Sequence, residues 1–554
     1  MKLLYLNTLN FTARLLIVLA WVVPPNAVWS FSDEPVHHQL KIELEPLTRF
    51  ARIEDTVQFK NSSENCGSFY LNAGLKLDQV PQGWQVKSSV RPGLNEIELV
   101  KKEFAACPET LTLKYSGILH DPTLDSEDSL GSSGFSFSGE SYFYPQIKRQ
   151  FSRVTFNMQV SLPEPWQAVS QGQRREISGA GRIVTWKSSH PSEEIYLIGN
   201  RFHNYEADHN GLTLHAFLLK EEEGLASEYL ETAKRYIDFY SRLIGPYPYE
   251  KFALIENSRQ TGYGMPSFTL MGSRIIRFPF ILHSSYPHEI LHNWWGNGVF
   301  PVLGEGNWSE GLTAYLADHL LMEMKGKGAL YRFQEMMKFS NYVNQENDFP
   351  LSEFSYRDSM ASQAIGYAKL LMVFHMLRTE VGDENFLKGL KRFYKTFKYR
   401  YAGYRAMQKN FEEVSGQDLG QFFKQWIHRK GAPEIRLKQA SYVSSKGRYD
   451  LKLRVEQSDP NFELKLPIAI WTDGSSVGEI HILKLDTGLQ NFSFQLSDEP
   501  VAVQLDPYND VFRLPGIGEA PASLSQTYGA NVVSAFLTKN EKLDYLRFAK
   551  SVAK

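Results

Sequence analysis

The sequence predicts an α+β chain of several domains, with an antiparallel β region first, a helix-rich α/β region in the middle and a second β region behind it. Three observations carry this. From about Val36 to about Asn210, short runs alternate polar and apolar residues between turn residues. From about Glu221 to Arg429, apolar residues recur at helical spacing. After Gly431-Ala432-Pro433-Glu434 the strand-like runs return. A chain of 554 residues, 42% of them hydrophobic, is long enough for several separate cores. Its formal charge of −2, without a long basic run, gives no footprint for nucleic acid.

The first thirty residues differ from the rest. Lys2 and Arg14 precede the apolar run Leu15 to Val23, which ends at Pro24-Pro25, with short side chains near Val28 and Ser30. The run is short for a bilayer span, so residues 1–30 read as a secretory signal, with an uncleaved amino-terminal anchor as the alternative. No later segment is long and apolar enough to enter a membrane. Residues 31–210 form the first β domain, with strands at Gln39 to Leu44, Thr110 to Tyr115 and Val154 to Val160. The only two cysteines, Cys66 and Cys107, both fall here. A disulfide between them and two unpaired thiols both remain open. Within the same region, Gly139 to Pro145 is either an aromatic turn packed on its own domain or a loop that brings Glu140 towards a site elsewhere.

Residues 211–430 carry the chemistry. Leu225 to Leu243 has helical spacing and ends at Gly245-Pro246, and Lys251 to Glu256 reads as a strand. Then comes Pro287-His288-Glu289-Ile290-Leu291-His292-Asn293-Trp294-Trp295-Gly296, the HExxH arrangement. Residues four apart share a helix face, so His288 and His292 point the same way and can bind one ion. Two imidazoles and a carboxylate make a three-ligand catalytic zinc site with its fourth position open, and one zinc per chain is expected. Glu310, in the first turn of the next helical run, supplies the carboxylate. Glu289 lies about 100° round the helix from His288, beside the ion, where a general base belongs. Ser284 and Ser285 offer a cap for this helix and Gly296 a stop. Further helices are expected at Ala329 to Phe339, Gln363 to Thr379, Glu384 to Phe397, Tyr404 to Ser415 and Leu419 to Arg429. Residues 431–515 read as a β-sandwich of about seven strands, and 516–554 as a tail with one helix, Asn540 to Ala553.

The strings HEILHNWWGN and NWSEGLTAYLADHL resemble the zinc aminopeptidases of peptidase family M1, the gluzincins. The family pattern places eighteen residues between HExxH and the Glu, and here Asn293 to Ser309 is seventeen. The resemblance implies a thermolysin-like catalytic domain, with zinc on His288, His292 and Glu310 and Glu289 as general base. Gly366-Tyr367-Ala368-Lys369 looks like the family's Tyr-x-Lys-Gly segment, which implies that Tyr367 donates to the oxyanion. Gly262, Tyr263, Gly264 and Met265 fall where the family carries its substrate-binding GxMEN strand. Pro266 and Ser267 stand at the Glu and Asn positions, so the Glu that holds a substrate's free amine is missing. Glu140 or another carboxylate takes that part, or the amine goes unread and the chain acts as an endopeptidase. A peptide-binding scaffold without turnover is the reading from another class.

Asn307-Trp308-Ser309 is a glycosylation sequon that abuts Glu310, so a glycan would crowd the metal. A bacterial periplasm or cell exterior is therefore expected. The expected partner is a peptide or protein substrate, and the chain is expected to be a monomer.

Overall fold

The computed structural model describes residues 35–516, 518–520 and 529, apart from 60–67, 81, 92–93, 102–108, 121–128, 132–133, 148–152, 178–181, 259 and 261. The signal segment, both cysteines and the tail helix therefore lie outside the described residues.

The alternation read in the sequence becomes a buried face. In the strand Val36–Glu45, Val36, His38, Leu40, Ile42 and Leu44 point inward, and buried His38 meets buried Asp55 at 2.7 Å. This strand lies in a seven-stranded sheet, flanked by Phe50–Gln58 and Val154–Leu162. The first pairing is antiparallel, but the second is parallel. The region is thus not antiparallel throughout. More than a hundred residues separate the two parallel strands, ample for the crossover that a hairpin cannot make. Two four-stranded sheets complete the region among the described residues.

The middle is organised on a five-stranded mixed sheet, in the spatial order His203–His209, Leu212–Leu218, Lys251–Asn257, Phe268–Gly272, Gly262–Met265. The strand His203–His209, which the sequence reading put with the first β region, pairs with Leu212–Leu218 and belongs to this sheet. Both faces are covered, which is why the strand Lys251–Asn257 is buried nearly end to end. Leu214, Ala216, Phe252 and Leu254 face the helices, while Phe217, Ala253, Ile255, Phe268 and Leu270 join the core of the amino-terminal sheets.

The expected helices form as Glu223–Leu243, Gly328–Tyr342, Leu370–Val381, Asp383–Phe397, Tyr404–Ser415 and Gly420–Ile427. Beyond them lie two three-stranded antiparallel sheets. These are six strands among the described residues, where about seven were expected. Their buried residues Leu451, Leu453, Val455, Leu466 and Ile468 belong to the same core as the helices. The chain then turns back at residues 506–513, where the Phe512 ring packs 4.9 Å from Phe339 and 6.1 Å from Trp426.

Candidate active site

The helix Ser285–Leu291 is short, and its neighbours hold it rather than its own propensity. Ser284 does not cap it; the hydroxyl donates to the Phe280 carbonyl at 2.9 Å instead. At the far end the chain turns at Gly296, whose φ of +103° suits glycine. Trp294 and Trp295 are fully buried just past the helix, and Trp294 Nε1 donates to the Gly245 carbonyl at 2.9 Å. Asn293 fixes the roll of the helix. Its Oδ1 accepts from Tyr247 Oη at 3.1 Å and from the Ser267 amide at 2.8 Å.

With the roll fixed, three ligand atoms meet. His292 Nε2 lies 3.3 Å and His288 Nε2 3.7 Å from Glu310 Oε2, and one atom from each of the three residues falls within a 4.8 Å cluster. The other ring nitrogens are committed, His288 Nδ1 to Asp318 Oδ2 at 3.1 Å and His292 Nδ1 to the Trp295 carbonyl at 3.0 Å. Both hold the proton on Nδ1 and leave Nε2 as the ligand atom. Two imidazoles, both oriented from behind, and one carboxylate fit a three-ligand zinc site. The loop that is one residue short leaves this intact, because Glu310 enters in the first turn of its own helix, Ser309–Thr313.

The electrostatics follow from burial and charge together. Burial opposes charge on both histidines, but Asp318 and Glu310 outweigh it and hold His288 well above the usual imidazole range and His292 above it. Burial likewise opposes charge on Glu310, and the two imidazoles overcome it and hold its carboxyl well below the usual range. Glu289 is 9% exposed, and burial pushes its carboxyl up, towards the range useful for a proton shuttle.

The strand Gly262–Met265 ends the five-stranded sheet and runs so close over this helix that a side chain at Gly264 would strike it and one at Gly262 would displace the Glu289 carboxyl. A Cβ on Gly262 would sit 2.8 Å from Glu289 Oε1, and one on Gly264 would sit 2.6 Å from His292 Cβ. Asn297 Nδ2 donates to the Gly264 carbonyl at 2.8 Å and pins the strand there. Tyr263 and Met265 point the other way and line a cavity of about 300 Å³ together with Glu140, Glu194 and Glu256. The sequence-predicted strand residues are thus divided, glycines to the metal helix and large side chains to this cavity. At the turn that follows, Ser267 has φ +65°, and its Oγ accepts from Lys251 Nζ at 2.9 Å and from the Gly172 amide at 3.1 Å. The backbone of Ser267 thus serves the metal helix through Asn293, and its hydroxyl serves buried Lys251.

Tyr367 stands beside His288, the two rings stacked 6.3 Å apart, and its hydroxyl reaches the Glu310 carboxylate. Burial, then that carboxylate, pushes the phenol far up, so it stays a donor. It sits in a π-turn, Ala364–Lys369, and a second π-turn, Ala314–His319, follows Glu310. Gly366 lies against Phe354, whose ring is 6.2 Å from that of Tyr367. Asn307, the sequon residue, donates from Nδ2 to the Ser355 carbonyl at 3.0 Å and accepts from Ser309 Oγ at 2.7 Å, so its side chain is already engaged.

Asp318, held against His288 Nδ1, is the residue of this arrangement that the sequence does not point to. Its trace there is an acidic side chain eight residues past Glu310 on the same helical run.

Among known proteins, residues 228–426 match the Peptidase family M1 domain. The "Probable aminopeptidase 2" of Sulfurisphaera tokodaii is 21% identical over 377 residues, covering 60% of this chain and 46% of that protein. The leucyl aminopeptidase of Saccharolobus solfataricus is 20% identical over 396 residues, covering 67% and 49%. The chain spans about half the length of the curated relatives it matches. The crystal structure of Legionella pneumophila aminopeptidase A in complex with aspartic acid shares its fold, with a TM-score of 0.67 over 89% of this chain and 60% of that one, at 15% identity.

Proposed function

We propose that this chain is a divergent member of peptidase family M1 and, from that premise, an exported, zinc-dependent peptidase of the aminopeptidase type. The observation that carries the reading is the convergence of His288, His292 and Glu310 within 4.8 Å beside the buried carboxyl of Glu289. A zinc ion held by these three residues would polarise the scissile carbonyl and make water acidic enough to attack at neutral pH. Every other part of the chemistry belongs to the chain. Glu289 takes the proton from the attacking water and passes it to the leaving amine, a task for which its raised pKa suits it. Tyr367 donates to the developing oxyanion, an interaction typically worth about 2.7–4 kcal/mol of transition-state stabilisation. The end strand Gly262–Met265 receives the substrate backbone as an added strand.

Where the family's GxMEN pattern has its Glu, this chain turns at Pro266, a buried residue. The cavity lined by Glu140, Glu194 and Glu256 keeps a carboxylate-rich surface next to Tyr263 and Met265, and we assign the free amine to it through Glu140. Pro266 itself favours the second reading, in which the amine goes unread and internal bonds are cut. Export is proposed from the charged and apolar layout of residues 1–30.

One peptide offered with its amino terminus free and with it blocked separates the two readings. Faster release of the first residue from the free form, lost in Glu289→Gln with zinc retained, is the expected result. Internal cleavage of the blocked form would transfer the reading to an endopeptidase. Equal inactivity of the zinc-loaded wild type and Glu289→Gln on a broad peptide pool would end the enzyme reading.

A further inference from the structure

A second polar cluster lies away from the metal, between the helices and the loop 506–513 that closes the carboxy-terminal sheets. Asp510 Oδ1 accepts from His375 Nε2 at 3.1 Å and from Arg332 Nη2 at 2.7 Å. Arg332, only 5% exposed, also donates from Nη2 to the Tyr508 carbonyl and from Nε to the Asn509 carbonyl, at 2.8 and 2.9 Å. Its remaining fork arm, Nη1, lies 2.8 Å from His319 Nε2.

The donors and acceptors can be ordered. A guanidinium only donates, so His319 accepts at Nε2 and is neutral. A carboxylate only accepts, so His375 holds its proton on Nε2 and receives at Nδ1 from Tyr315 Oη, 3.3 Å away. Tyr315 Oη accepts in turn from Arg378 Nη1 at 3.3 Å. Hydrogen bonds therefore run from Arg378 through Tyr315 and His375 to Asp510, where Arg332 meets them from the other side. The rings are packed as tightly as the bonds suggest, with Tyr315 stacked on His319 at 4.9 Å and His319 5.5 Å from His375.

The elements joined here are the two that carry the chemistry. Tyr315 and His319 lie in the π-turn that follows Glu310 and holds Asp318. His375 lies on Leu370–Val381, the direct continuation of the π-turn with Tyr367. We propose that Asp510 is a positioning residue for catalysis, one that locks the Glu310 helix and the Tyr367 helix at a fixed separation from behind. Resting on the peptidase reading for its catalytic consequence, the inference also has a structural consequence that does not depend on it. A donor aimed at an oxyanion loses its effect if it moves by about 1 Å, whereas peptide binding along the end strand is untouched.

The test compares Asp510→Ala, Asp510→Asn and a neighbouring core variant, Val511→Ala, by amide hydrogen exchange and by peptide hydrolysis. In Asp510→Ala, exchange in residues 309–323 and 364–377 is expected to rise together, by roughly tenfold. In the same variant kcat should fall about tenfold or more, with KM within about twofold. Asp510→Asn keeps an oxygen that can accept both bonds and should restore both readouts to within about threefold. Val511→Ala should lower the melting temperature without loosening the two segments. Unchanged exchange in Asp510→Ala, or the same loosening in Val511→Ala, would overturn the proposal. Should Asp510→Ala fail to fold, His375→Phe removes both bonds of that ring, to Asp510 and to Tyr315, and exchange must rise in 364–377 and in 309–323 together; a rise confined to one segment, or none, overturns the proposal. A wild-type protein without peptidase activity would remove the functional reading, while the exchange comparison still decides the tie.

Discussion

Asp318 shows how one carboxylate can govern a histidine of the proposed metal site without joining the ligand cluster. By accepting from His288 Nδ1 at 3.1 Å it sets the tautomer, holds the ring plane and makes Nε2 more basic. Asp318→Asn preserves an acceptor oxygen and removes the charge, so the loss should be selective. Zinc affinity, measured by competition with a chelator, should fall about 10–100-fold with the melting temperature of the metal-free protein nearly unchanged. Affinity equal to wild type would remove Asp318 from the site. The convergence of His288, His292 and Glu310 was legible in the sequence because a helix turns a spacing of four into a shared face. Asp318 was not, because its approach to His288 depends on the π-turn Ala314–His319, which widens the helix where no residue type announces it. The Ser284 cap failed for a related reason. The preceding 3₁₀ turn Pro279–His283 offers its hydroxyl a closer carbonyl than the helix offers amides.

Among the elements, the strand Gly262–Met265 is the one whose sequence is explained by what it must not contain. Its two glycines permit van der Waals contact with the metal helix, and a methyl group at Gly264 would meet His292 Cβ at 2.6 Å and the Glu289 carbonyl at 3.0 Å. Both are backbone or near-backbone atoms that cannot swing aside. Gly264→Ala should therefore lift the strand from the helix and lower kcat/KM by about 10²-fold, as misplacements near 1 Å do. Steady-state kinetics with zinc content measured in parallel decide this, and full activity with full zinc would show that the strand has slack. The glycines were read from the sequence as a substrate strand; the split that sends Tyr263 and Met265 to a separate cavity was not. That split follows from the twofold alternation of a strand pressed on one side only. The turn at Pro266 and Ser267 explains the lost Glu in physical terms, since the Ser267 amide is spent on Asn293 and its hydroxyl on Lys251.

At the scale of the whole molecule, two buried histidines outside the candidate site contribute a pH dependence of their own. His319 is held down to about 2 by burial and then by Arg332, and His215 to about 3 by burial and then by Lys251. Both stay neutral in the fold, while in the unfolded chain they take up protons near 6.5. At these two sites the unfolded state thus binds more protons between those values, and their contribution to stability falls as pH drops below about 6.5, while burial of Glu193, pushed up to about 7, and of Asp506, to about 6, contributes in the opposite direction. Each histidine contributes up to about 1.4 kcal/mol per pH unit in that window. Thermal melting of the metal-free protein and of His215→Gln at pH 7, 6 and 5 isolates this contribution, and the variant should lose less stability, or gain more, than the wild type as pH falls. Parallel pH profiles of the two proteins would contradict it. The broad order of regions was legible because period two and period 3.6 differ plainly in the sequence. The parallel pairing of Val36–Glu45 with Val154–Leu162, and the return of residues 506–513 to the helices, were not. Both depend on contacts across more than a hundred residues, about which local pattern is silent.

The five-stranded sheet has one further consequence. Phe217, Ala253, Ile255, Phe268 and Leu270 are a wall common to two rooms, apolar towards the amino-terminal sheets while the opposite face looks to the metal helix. A fragment that began at residue 211 would keep every ligand of the ion and still bare that wall to water. It would meet its own copies there before it met a substrate. The first β region is therefore a covering without which the catalytic region would present an apolar face to water.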